Sequence, residues 1–99
     1  MSRRFIVRPQ ARLELAEASD WYDERNPGLG DEFLHAFDEA VVAIRRNPFQ
    51  YQAIRGKRRR VGLGKFPYGL IYIVSDDEII VISCFHGHRD PSRWKARTS

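Results

Sequence analysis

Cysteine is nearly absent from this sequence. Its one thiol, Cys84, cannot form an intrachain disulfide, and a reducing compartment is the expected home. No apolar run approaches the length that spans a bilayer, so no membrane partner is expected. The opening Met1-Ser-Arg-Arg-Phe-Ile-Val-Arg-Pro9 loses its apolar character at Arg8 after three residues. That is too short for the apolar region of a signal peptide, so the Arg3-Arg4 pair is not expected to direct export and the chain is expected in the cytoplasm. There is no internal repeat, no linker and no low-complexity tract beyond one basic run. Histidine is scarce as well, with three in the chain. A zinc site needs three or four converging ligands, and neither a Cys pair nor a helical His–His spacing supplies them. Neither a metal nor a cofactor is expected.

What is present fits one small domain over residues 1–99. Hydrophobic residues make up 42% and charged residues 30%, the balance of a globular domain rather than a disordered tail. The net charge of +4 is unevenly spread. Residues 1–50 carry seven Lys/Arg against nine Asp/Glu, a net of −2, and residues 51–99 carry ten against four, a net of +6. The basic half is suited to a polyanion or to an acidic protein partner, and charge alone does not separate the two.

Residues 4–8 form a short strand candidate that stops at Pro9. Ala11, Leu15, Ala18 and Tyr22 then recur at helical spacing, with Glu14, Glu17, Asp20, Asp23 and Glu24 assigned to solvated faces. Asn26-Pro27-Gly28 ends that helix. A second helix carries Phe33, Phe37, Ala40, Val41 and Ile44 on one face. Asp31 and Glu32 in its first turn and Arg45 and Arg46 in its last both suit the helix dipole. Asn47-Pro48 ends it, and so short a connection predicts an antiparallel helix hairpin. After residue 50 the period changes to two. Strands are expected over 57–63, over 68–75 (apolar on both faces, hence central) and over 78–86, joined as an antiparallel meander around the Asp76-Asp77 turn. The fold class is therefore α+β, an antiparallel helix hairpin packed on a small antiparallel sheet in the order β-α-α-β-β-β.

Two stretches carry chemistry. The run Arg55-Gly-Lys-Arg-Arg-Arg60 places five cations in six positions. It reads either as a solvated edge strand or as a display of Arg58 and Arg60 side by side for phosphates or carboxylates. The tail Phe85-His-Gly-His-Arg-Asp-Pro-Ser-Arg-Trp94 is the other. Its His86 and His88 are either a strand end and a turn residue, or a general acid or base beside Arg89. Cys84, among Ile80, Ile82 and Phe85, reads as core rather than nucleophile. Trp94 caps a hydrophobic edge or stacks on a base.

Phe66-Pro-Tyr-Gly-Leu-Ile-Tyr72, the Asp76-Asp77 turn and Ile82-Ser-Cys-Phe-His-Gly-His-Arg-Asp-Pro91 with Trp94 together resemble the RelE/ParE toxin family. Trp21-Tyr22 and Asn47-Pro48 fit the same pattern. The resemblance implies the toxin of a type II toxin–antitoxin module, a growth inhibitor silenced by a cognate antitoxin. Antitoxins of this kind present an acidic, partly disordered segment, which suits the basic half. One branch of the family binds and inhibits DNA gyrase; the other cleaves mRNA on the ribosome. Cleavage by 2′-hydroxyl attack requires proton transfer and cations for the transition-state charge. The resemblance offers Arg89, His88, His86, Lys57, Arg58 and Arg60 as candidates for that role. Gly69 stands where many members have an arginine, and Trp94 and Lys95 where the nuclease branch has a proton-transferring Tyr or His. The ParE-like, gyrase-binding reading is therefore favoured, with the RelE-like endoribonuclease as the alternative. Arg55, Lys57, Arg58, Arg60, Arg89, Arg93 and Trp94 are the expected partner-binding residues.

Overall fold

The chain leaves its first strand at a proline. β1 (Arg4–Val7) runs into Arg8, which stays extended, and Pro9 opens α1 (Pro9–Arg25) at a position where its missing N–H removes no helical bond. The computed structural model describes residues 3–87. Ala11, Leu15 and Ala18 of the expected stripe are buried and Tyr22 is half-buried. α2 (Leu29–Arg46) buries Phe33, Ala40 and Ile44, with Phe37 and Val41 half-buried on the same face. No helix among the described residues is long and apolar enough to cross a membrane.

The hairpin between the helices is fixed by a side chain. Gly28 takes a left-handed conformation at φ 94°, and α2 begins directly after it. The Asp23 carboxylate, on α1, accepts hydrogen bonds from the amides of Gly28 at 3.1 Å and Gly30 at 2.8 Å. It thereby satisfies donors that a helix start leaves without partners. Asp23 is therefore a cap between helices, not one more residue on a solvated face.

The sheet comprises β2 (Ala53–Arg55), β3 (Arg58–Leu63), β4 (Phe66–Val74) and β5 (Glu78–His86) beside β1, in the order β1-β5-β4-β3-β2. The α+β class, the helix hairpin on the sheet and the central position of β4 all agree with the sequence reading. Two features add to it. β1 pairs with β5 in parallel, Arg4 opposite Glu78 and Val7 opposite Val81, so the sheet is mixed. A parallel pair needs a long crossover, and the helix hairpin with the following meander provides it. The second feature is β2, three residues that turn through Gly56 at φ 58° and pair with β3. The outermost strand on this side is thus β2, and the basic strand β3 lies inside it.

The core fills the space between the helices and one sheet face. Leu70, Tyr72, Ile79, Val81 and Cys84 meet Ala11, Leu15, Phe33 and Ile44 there. Tyr22, Phe33, Phe66 and Tyr68 form an aromatic group with ring centroids 4.9–6.1 Å apart in edge-on and tilted contacts. Tyr72, fully buried, donates its hydroxyl to the Pro48 carbonyl at 2.7 Å and so ties the end of α2 to the sheet.

Candidate functional site

Strand alternation sends Arg58 and Arg60 of β3 to the face of the sheet turned away from the helices, while Arg59, Val61 and Leu63 turn toward them. Opposite Arg58 lies Ile73, and opposite Arg60 lies Ile71. Ile71, Ile82 and Phe85 form a second, smaller apolar cluster on this face, with Ile80 packed beside it. The sequence reading of Arg58 and Arg60 as neighbours on one face holds.

Arg60 reaches further than its strand. Its guanidinium lies 5.4 Å from the centroid of the Phe85 ring, two strands away on β5. The route crosses Gly69, which pairs with both Gly62 and Phe85. A Cβ built on Gly69 would sit 3.2 Å from Arg60 Nε, and one on Gly87 3.3 Å from Arg60 Nη2. The missing side chain at Gly69 is what lets a cation from β3 reach the aromatic ring of β5. Arg55 on β2 and Lys57 in the β2–β3 turn are both exposed at the adjoining edge.

His86 does not join them. Tyr72 pairs with Val81 but Ile71 with Ser83, so β5 carries one extra residue, Ile82, as a bulge. Strict alternation from Ile80 would set His86 on the arginine face. The bulge reverses the phase, and His86 instead pairs with Tyr68, ring centroids 5.2 Å apart, on the side of the aromatic core. His88, Arg89, Arg93 and Trp94 lie outside the described residues.

The sequence reading missed one buried acid. Glu14, expected on a solvated face, is only 7% exposed and accepts the Cys84 N–H at 3.0 Å. β1 ends at Val7 while β5 continues to His86, so the outer edge of β5 outruns its partner strand. The Glu14 carboxylate takes the place of the missing strand there. Its spacing was the available signal, since Glu14 stands three residues after Ala11 and four before Ala18, on the same helix face. Cys84 is core, as expected. Burial, and next the neighbouring Glu14, push its thiol from an ordinary 9.0 up to about 12, which keeps it protonated and unreactive.

Comparison with known proteins agrees with this fold. The family described as the ParE toxin of the type II toxin-antitoxin system parDE matches residues 5–91. The chain is similar to Toxin ParE2 of Mycobacterium tuberculosis, 27% identical over 100 residues that cover 100% of this chain and 95% of that protein. Among solved structures it is similar to one titled for the chromosomal ParDE toxin–antitoxin system of P. aeruginosa, with a TM-score of 0.75 at 16% identity over 86% of this chain and 96% of that one. The YoeB dimer of Staphylococcus aureus gives a TM-score of 0.60 at 17% identity, covering 85% and 95% respectively. At those identities the structural likeness speaks to the fold.

Proposed function

This chain belongs to the ParE toxin family of type II toxin–antitoxin systems, and from that premise we propose that it is the toxin of a two-protein module, kept silent in the cytoplasm by a cognate antitoxin and arresting growth, when free, by binding DNA gyrase. The observation that supports a binding mode is the chemistry of the sheet face turned away from the helices. Its described cations beside the apolar cluster are Arg58 and Arg60. A guanidinium presents N–H donors and no acceptor for a proton. Both arginines therefore attract anions, but neither takes a proton from a 2′-hydroxyl nor returns one to a leaving oxygen. His86, the described histidine on the sheet, faces the other way. The cluster itself is buried, so what this face offers a partner is cationic, which suits an acidic protein segment, the kind an antitoxin supplies.

The test is a pair of assays on one toxic preparation: gyrase supercoiling, and transcript integrity during cell-free translation of a defined mRNA. Inhibited supercoiling with an intact transcript is expected. Discrete ribosome-dependent cuts with supercoiling unaffected would overturn the reading and make His88 and Arg89 the first residues to replace.

A further inference from the structure

We propose that the connection between α2 and β2 presents a stacking platform for single-stranded nucleic acid, built from Phe49 and the guanidinium groups of Arg3 and Arg59. Phe49 is 55% exposed, among the most exposed large hydrophobic side chains described. The backbone that carries it is nonetheless pinned on both sides. Its N–H donates to Asn47 Oδ1 at 3.3 Å, the preceding Pro48 carbonyl accepts the Tyr72 hydroxyl, and Gln50 Nε2 donates to the Ala43 carbonyl at 3.0 Å. Arg59 Nη1 then holds the Tyr51 carbonyl at 2.7 Å and the Phe49 carbonyl at 3.5 Å. An apolar ring held out into water by a fixed loop is preorganised for contact, so ordering it on binding costs little.

The surroundings specify the ligand. The Arg59 guanidinium lies 5.1 Å from the Phe49 ring centroid and the Arg3 guanidinium 5.5 Å. Arg45 lies 5.7 Å from the centroid of Phe5, on the strand that Arg3 precedes. Among the described residues the ion pairs are Arg4–Glu78, His35–Glu39 and Lys65–Glu32, so neither Arg3 nor Arg59 is held in one, and Arg3 Nε donates to the Ser75 carbonyl at 2.8 Å beside the Asp76-Asp77 turn. The platform therefore offers one exposed aromatic ring with two guanidinium groups beside it. A nucleotide complements both at once, its base against the ring and its phosphate against the guanidinium forks. An acidic peptide brings carboxylates but no flat π-face. A duplex keeps its bases stacked on one another, away from a side chain on a loop. This site is separate from the sheet face that carries Arg58 and Arg60, because Arg59 points to the opposite side of β3. It does not depend on the toxin reading, since the measurement is of binding and not of toxicity.

The experiment is fluorescence anisotropy of the full chain with labelled dT12, U12 and a 12-bp duplex at low and moderate salt, with polyglutamate as competitor. Both single strands are expected to bind, and the tighter of the two identifies DNA or RNA as the source. The duplex is expected to bind more weakly. Phe49→Ala should lose roughly 5- to 150-fold, the range of one stacked base, while Phe49→Trp retains binding. Arg3→Ala should flatten the salt dependence by about one phosphate contact. Because Phe49 is exposed, its alanine variant keeps the core, and the tryptophan variant controls for the loop. Three results would overturn the proposal: no binding at low salt, equal affinity for wild type and Phe49→Ala, or displacement by polyglutamate as effective as by unlabelled strand.

Discussion

Glu14 ties α1 to β5 by accepting the Cys84 N–H, and its replacement tests that tie. Glu14→Ala leaves the Cys84 N–H without its acceptor in a buried setting, a cost of about 1–3 kcal/mol. Glu14→Gln keeps an acceptor oxygen and should lose less. Urea unfolding of both variants reads the difference, and equal midpoints for all three proteins would show the bond to be dispensable. Tyr72 and Cys84 make a second statement at this scale. Burial raises the Tyr72 hydroxyl from 10.0 to about 12 and the Cys84 thiol from 9.0 to about 12. Both folded values lie above the unfolded ones, so their contribution to stability is complete below about pH 9 and falls away as pH rises toward 12. Denaturant midpoints should therefore hold steady up to pH 9 and decline above it. Tyr72→Phe should shallow that decline while lowering stability at neutral pH, because the Pro48 carbonyl loses its donor.

Among the elements, the helix hairpin depends on how closely α1 and α2 approach. A Cβ on Gly30 would meet the Ser19 carbonyl oxygen at 2.6 Å and the Asp23 carboxyl at 2.8 Å. Gly30→Ala must push α2 off α1 or break the Asp23 cap, and a loss of about 1–3 kcal/mol is expected by thermal or urea unfolding. An unchanged midpoint would place the close approach elsewhere. Both helices were legible in the sequence because 17 and 18 residues carry enough turns for the 3.6 period to show. Three residues of β2 carry no such period, and the parallel pairing of β1 with β5 joins residues over seventy positions apart, beyond any local pattern. The Arg58/Arg60 pair was legible from alternation along β3. Arg60 lying across Gly69 was not, since it depends on the register of three strands. The bulge at Ile82 hid the true orientation of His86, because one inserted residue inverts every side chain beyond it.

Across the whole molecule, charge and architecture coincide. The half that is net −2 contains both helices, with Asp20, Asp23, Glu24, Asp31 and Glu32 around their connecting turn, and residues 51–87, which contain the β2–β5 meander, carry six Lys/Arg against three Asp/Glu, a net of +3. An acidic segment approaching this molecule is repelled by the helix turn and drawn to the sheet, so orientation is selected before contact. That steering is screened by salt beyond a Debye length of about 8 Å at physiological ionic strength. Binding of the cognate antitoxin should accordingly weaken and its association slow as salt rises. Exposed charge pairs contribute about 0.2–1 kcal/mol each, so Arg58→Ala with Arg60→Ala should cost roughly 2- to 30-fold in affinity and flatten the salt dependence. Stopped-flow association with calorimetry at two salt concentrations separates the contributions. Loss concentrated in the association rate identifies steering by the sheet face. Loss in the dissociation rate alone would mean that Arg60, lying over Phe85, is buried against the antitoxin instead. Full affinity in the double variant would remove the arginine face from the antitoxin contact and leave the exposed apolar side chains of the helices, Leu13, Leu34 and Val42, to supply it.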